Sequence, residues 1–117
     1  MNEPRPGAFP KQARLRKRRE YLRVQRDGGR QHTEHFVVLK AVSEQANSRF
    51  GITVSTRVGN AVVRNRVKRV VREILRGTWR NIGPPLDIVV IAKPGAAQAT
   101  YAKAATQLRR ALGIRGT

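Results

Sequence analysis

Between residues 60 and 76 apolar side chains recur at Val63, Val67, Val70, Val71, Ile74 and Leu75. They follow the i, i+3, i+4, i+7 recurrence of one helical face. At about 100° per residue, Asn65, Lys68, Arg69, Arg72 and Arg76 gather on the opposite face, with Arg64 and Arg66 at its borders. The spacing predicts a helix with Val63, Val67, Val70 and Ile74 buried and Asn65, Lys68, Arg69 and Arg72 exposed. Gly77 ends it. Glu73 is its one acid, placed to pair with Arg69 at i, i+4. Residues 15–26 also follow helical spacing, with Leu15 and Leu22 seven apart and Tyr21 and Val24 nearby, until Gly28-Gly29 stops them. Residues 36–42 predict a strand with Phe36 and Val38 on one face and Val37, Leu39 and Ala41 on the other. In a second strand, 49–56, Phe50, Ile52 and Val54 alternate with Gly51, Thr53 and Ser55. The apolar set belongs in a core. The small polar set leaves room for something to lie against the backbone. Gly83-Pro84-Pro85 is a turn. Residues 86–92 are apolar apart from Asp87, like a strand covered on both faces. Residues 101–112 form a last helix with Ala105, Leu108 and Leu112 turned inward.

The order α-β-β-α-β-α predicts a two-layer α/β sandwich with a small mixed sheet, the helix at 60–76 being the crossover between two strands. One face of such a helix lies on the sheet and the other is open, where the cationic stripe falls. Residues 1–13, with Pro4, Pro6, Gly7 and Pro10, read as a flexible arm, and 14–117 as one domain.

Charge sharpens this picture. Lys and Arg number 25 against 7 Asp and Glu, a net charge of +18 on 117 residues. Such a domain repels itself unless a polyanion supplies the countercharge. Arg outnumbers Lys, which favours bidentate phosphate contacts and stacking on bases. A membrane surface fits less well: the basic helix has only aliphatic residues on its apolar side, with no aromatic for an interface, and no long apolar run could span a bilayer. Cysteine is absent, so there is neither a disulfide framework nor a thiolate metal site, and a reducing cytoplasm suits the chain.

Hydrolytic chemistry within the chain finds little support, and no metal site is expected. Glu3, Glu20, Asp27, Glu34, Glu44, Glu73 and Asp87 are scattered over different elements. His32 and His35 sit at a strand start, where their spacing puts them on opposite faces, and read as exposed loop histidines. Trp79 reads as an edge-of-core residue. Lys93, at the end of the last strand, reads as a nucleic-acid contact or as a lysine reaching along the surface to water.

The run Arg57-Val58-Gly59-Asn60-Ala61-Val62-Val63-Arg64-Asn65-Arg66-Val67-Lys68-Arg69-Val70-Val71-Arg72-Glu73 resembles the signature of the bacterial ribonuclease P protein component. The likeness continues through Arg14-Leu15-Arg16-Lys17 to Tyr21, Phe36-Val37-Val38, Phe50 to Ser55, Asp87 to Pro94 and Thr100-Tyr101, covering about residues 14–112. It implies a subunit of an endoribonuclease whose catalyst is RNA, which removes the 5′ leader of precursor tRNA. It also implies a left-handed crossover around the motif helix. Magnesium would be the cofactor, held mainly by the RNA, with the catalytic RNA and precursor tRNA as partners and no protein partner required. By the same resemblance, Asn60, Arg64, Asn65, Arg66, Lys68, Arg69 and Arg72 match the surface toward the RNA subunit. Tyr21, Thr53 and Arg57 match a leader-binding cleft. Gln25 and Leu39 stand in that cleft where relatives often carry aromatics, so the cleft should lean more on charge and less on stacking.

Two other classes share the charge. A structural RNA-binding protein such as a ribosomal protein would lack the continuous Gly-Asn-Ala-Val-Val-Arg-Asn-Arg context. A DNA-binding recognition helix would need a helical partner before residue 60, where 49–56 read as a strand.

Overall fold

The computed structural model describes residues 13–78 and 85–113. Two strands whose sequences are apolar on both faces, β2 (Phe36–Val42) and β4 (Leu86–Ala92), form the centre of a four-stranded sheet. Its order is β1-β2-β4-β3, with β1 spanning Gly29–His32 and β3 Arg49–Thr53. β2 is antiparallel to both β1 and β4, and β3 is parallel to β4, so the sheet is mixed. The parallel pair needs a crossover, and α2 (Ala61–Arg76) supplies it. α1 (Arg18–Asp27) precedes the sheet. A 3-10 turn, Pro94–Gln98, leads into α3 (Tyr101–Ala111).

Alternation along the strands builds two cores. Phe36, Val38, Phe50, Ile88 and Val90 meet Val67, Val71, Ile74 and Leu75 of α2 and Ala104, Ala105 and Leu108 of α3. On the other face Leu39, Ala41 and Val89 meet Leu15 and Val24, with Tyr21, Val37 and Ile91 half-buried around them. The expected α/β sandwich with its mixed sheet is therefore present. α1 lies on the face opposite α2 and α3 and covers only part of it.

Two glycines let α1 approach the sheet. A Cβ on Gly28 would lie 2.5 Å from the Val24 carbonyl and 2.8 Å from that of Lys40. A Cβ on Gly51 would lie 2.5 Å from the ring of Tyr21. The space expected beside Gly51 is thus filled by the chain's own tyrosine.

Several expectations are corrected. The first helix begins at Arg18, not at residue 15; Leu15 is extended, its N–H donating to the Phe50 carbonyl at 2.8 Å, and Leu22 is exposed. Their seven-residue spacing was not a buried stripe. Ala13, assigned to the arm, is fully buried in the larger core, whereas residues 1–12 lie outside the described residues. β3 ends at Thr53, short of residue 56. β1 and the 3-10 turn were not foreseen. Val63 and Val70 are half-buried, and Val71 and Leu75 are more deeply buried than either. Trp79 and Gly83-Pro84 lie outside the described residues.

Neither histidine is an exposed loop residue: His32 is exposed but ends strand β1, and His35 is largely buried. Its Nδ1 lies 2.8 Å from the amide nitrogen of Gln107, whose oxygen accepts from the His35 backbone N–H at 2.8 Å. Lys93 does not reach outward either: its Nζ donates to the Thr33 carbonyl. Both residues fasten the β1–β2 turn.

Candidate nucleic-acid interface

The signature helix starts at Asn60, whose side-chain oxygen accepts from the Val63 N–H at 3.0 Å. This satisfies one of the four backbone donors that a helix start leaves open. Asn60 is thus first a structural cap, and Asn60→Ala should cost about 1 kcal/mol in thermal or denaturant unfolding. An unchanged midpoint would show the cap to be dispensable.

From that start the helix buries Val67, Val71, Ile74 and Leu75. The same rotation leaves Asn65, Arg69 and Arg72 exposed and Lys68 half-exposed. Glu73 meets Arg76 at 3.6 Å rather than Arg69. Among the described residues no carboxylate pairs with Lys68, Arg69 or Arg72.

The border arginines behave differently. Arg64 is half-buried, and its Nε is buried with no hydrogen-bond partner among the described residues. Arg66 is exposed, with Nη2 donating to the Ala97 carbonyl at 3.0 Å, which ties α2 to the 3-10 turn. Arg66 therefore braces the fold as well as facing outward.

Lys68 and Arg72 also reach a second surface. With Tyr21 and Gly51 they wall a concavity of about 160 Å³ between α1, β3 and α2. The tyrosine hydroxyl donates to the Leu15 carbonyl at 3.3 Å, closing the sheet edge where the incoming chain leaves β3. Burial, the main cause, pushes the phenol up from its ordinary value. Tyr21 therefore offers a neutral, half-buried ring. The structure joins it to the stripe, which sequence spacing could not do.

The remaining cleft residues divide. Gln25, Thr53 and Arg57 are exposed. Leu39 is 1% exposed beneath α1, so it lines no open surface and is corrected from cleft residue to core residue.

Sequence reasoning missed the network that holds α1 down. Asp87 is fully buried. Arg49 grips it with Nε at 3.0 Å and Nη2 at 2.7 Å, and Arg23 adds Nη2 at 2.6 Å. Arg49 also donates from Nη1 to Glu20 at 2.6 Å, and the other Glu20 oxygen accepts from the N–H groups of Arg16 and Lys17, both at 2.9 Å. For Asp87, burial alone would push the carboxyl up; hydrogen bonds from Arg49 and then Arg23 overcome it and hold the group below its ordinary value. The one signal in sequence was an acid inside an otherwise apolar strand.

The match to known proteins covers nearly the whole chain. Residues 9–115 match the family model described as Ribonuclease P. The ribonuclease P protein component of a Geobacter species is 41% identical over 105 residues, 90% of each chain. That of Desulfovibrio desulfuricans is 43% identical over 104 residues, 86% of this chain and 80% of that one. Among solved structures, an RNase P protein mutant from Staphylococcus aureus superposes with a TM-score of 0.82 at 32% identity, covering 88% of this chain and 87% of that one. The RNase P protein from Thermotoga maritima gives 0.77 at 35% identity, covering 88% and 98%. A chain that shares this family's sequence across 90% of its length and its fold across 88%, with the Arg-Asn-Arg helix opening outward from the sheet, belongs to the bacterial ribonuclease P protein component family, the protein subunit of an RNA-containing endoribonuclease.

Proposed function

We propose that the chain binds the catalytic RNA of ribonuclease P through the exposed stripe of α2, and the 5′ leader of precursor tRNA across the open sheet face beside α1. In this way it supports metal-dependent removal of the leader. The observation that carries the reading is the stripe itself, a row of cations on a rigid helix with no carboxylate paired to Lys68, Arg69 or Arg72 among the described residues. Phosphate is the ligand such a row fits. The open Nε of Arg64 adds a buried donor at the same surface.

The acids argue against hydrolysis by the protein alone. Glu20 and Asp87 come together only through Arg49, which donates to both. Carboxylates neutralised in this way are poorly placed to take a proton or hold a metal. Magnesium is accordingly assigned mainly to the RNA. A cytoplasmic location and assembly with RNA without a further protein are part of this proposal; among the described residues no helix is long and apolar enough to cross a membrane.

Reconstitution tests the proposal. The chain, mixed with a bacterial ribonuclease P RNA at low magnesium, should restore cleavage of precursor tRNA at the leader junction. The chain alone should leave the precursor intact even with ample magnesium. Specific leader removal by rigorously RNA-free protein would sink this division of labour.

A further inference from the structure

β1 adds a wall to the leader surface. The sheet register places His32 opposite Val37, Val37 opposite Ile91, and Ile91 opposite Thr53. Residues directly opposite in neighbouring strands share a face, so these four side chains form one row across the whole sheet. At about 4.8 Å between strands the row is roughly 14 Å long. The adjacent row, Arg30–Leu39–Val89–Gly51, lies on the same face; α1 covers its Leu39, Val89 and Gly51, while Arg30 on the edge strand stays exposed. The open floor is thus Val37 and Ile91, both half-buried and packed, like Tyr21, against the smaller core, with Thr53 at one end. Arg30 and His32 stand at the other end. Both are exposed, and no described side chain pairs with either.

We infer that Arg30 and His32 bind single-stranded RNA at the far end of this floor, His32 by stacking on a base and Arg30 by pairing with the adjoining phosphate. The inference rests on the leader reading above and extends it to an edge strand that no motif marks. An apolar floor with an aromatic and a guanidinium at its rim has the chemistry of a single-strand site, where bases lie on flat or apolar surfaces and cations follow the backbone. Leu39 is buried and Gln25 is not aromatic, so His32 is the exposed ring on this floor beyond the half-buried Tyr21. Tyr21, which packs against the same core cluster as Val37 and Ile91, also lines the concavity with Lys68 and Arg72, so one residue borders both surfaces. The opposite flank of α1 is less suited, because Arg23, Arg26 and Arg49 there already meet Glu44, Asp87, Asp27 and Glu20.

The test uses the reconstituted holoenzyme and two precursors, one with a full leader and one with the leader cut to its last nucleotides. Arg30→Ala with His32→Ala should weaken binding of the full-leader precursor by roughly tenfold or more, the loss expected from one base stack, to which the phosphate contact adds. It should leave the short-leader precursor and assembly with the RNA subunit unchanged. His32→Phe keeps the ring and should bind like the parent. Equal loss on both precursors, impaired assembly, or no loss at all would overturn the proposal. Arg57→Ala separates it from the reading beneath it. If Arg57→Ala weakens full-leader binding and the β1 variant does not, the cleft stands and the β1 wall falls. If neither variant discriminates between leaders, the leader reading falls and takes the wall with it. A melting curve accompanies each variant, and a β1 variant that melts early points to a brace rather than a binding wall.

Discussion

Asp87→Ala should destabilise the chain by about 3–5 kcal/mol, the usual cost of removing one partner from a buried ion pair. The carboxylate is buried and the arginines largely so: the side chains of Asp87, Arg49 and Arg23 are 1%, 15% and 21% exposed. Without Asp87, two guanidiniums remain in a site that water reaches poorly. Arg23 would keep its 3.1 Å bond to the Val42 carbonyl and Arg49 its bond to Glu20, so the loss is of charge balance and of three hydrogen bonds. The network links α1 to β3 and β4, so the open sheet face should lose its α1 wall as well. The same group sets an acid limit. A carboxyl whose folded pKa is depressed contributes stability that is complete above its unfolded pKa, near 3.9, and is lost as pH falls through the folded value. Glu20 is also lowered: burial raises it, but the backbone bonds from Lys17 and Arg16 and the charge of Arg49 outweigh that. Stability should therefore fall below about pH 4, and Asp87→Asn should flatten that fall. Denaturant midpoints across acid pH measure both effects. Parent-like stability of Asp87→Ala would mean that the arginines find other partners and that the network does not hold α1.

Replacing Lys68, Arg69 and Arg72 together by alanine should weaken association with the RNA subunit by on the order of a hundredfold or more. Each charge-assisted contact contributes roughly 1.5–3 kcal/mol, and neighbouring contacts are not additive. The slope of log affinity against log salt should shrink by about three, one for each phosphate contact removed. Folding should change little, because Arg69 and Arg72 are exposed and Lys68 partly so, and exposed positions usually shift stability by less than about 0.5 kcal/mol each. Alanine also favours helix. RNA binding at several salt concentrations, beside thermal melting, reads both consequences. Parent-like affinity with an unchanged slope would make the stripe a solvated face. An early melt would mean that the helix faces the other way.

Most of this was legible in the sequence because it is local. Helical periodicity does not depend on what packs against the helix, so Val67 and Ile74 could be placed inward and Asn65, Arg69 and Arg72 outward before any fold was known. Alternation in residues 36–42 likewise separated Phe36 and Val38 from Leu39 and Ala41, which enter different cores. What failed was whatever needed a partner. Gly29-Arg30-Gln31-His32 has no apolar alternation and becomes a strand only because β2 lies beside it. Leu15 looked helical, yet is buried by an extended contact with Phe50. Leu39 fitted an open cleft until α1 was laid over it. Asp87, Arg23, Arg49 and Glu20 are up to 67 residues apart in the chain, and only folding makes them one cluster. The amino-acid order by itself thus determined the periodic elements, the cationic stripe and the family, since each is written in short-range spacing and side-chain chemistry. The tertiary structure decided which cations remain free for a polyanion, which are held by buried acids, and which sheet face stays open, because burial and pairing are set by neighbours distant in sequence.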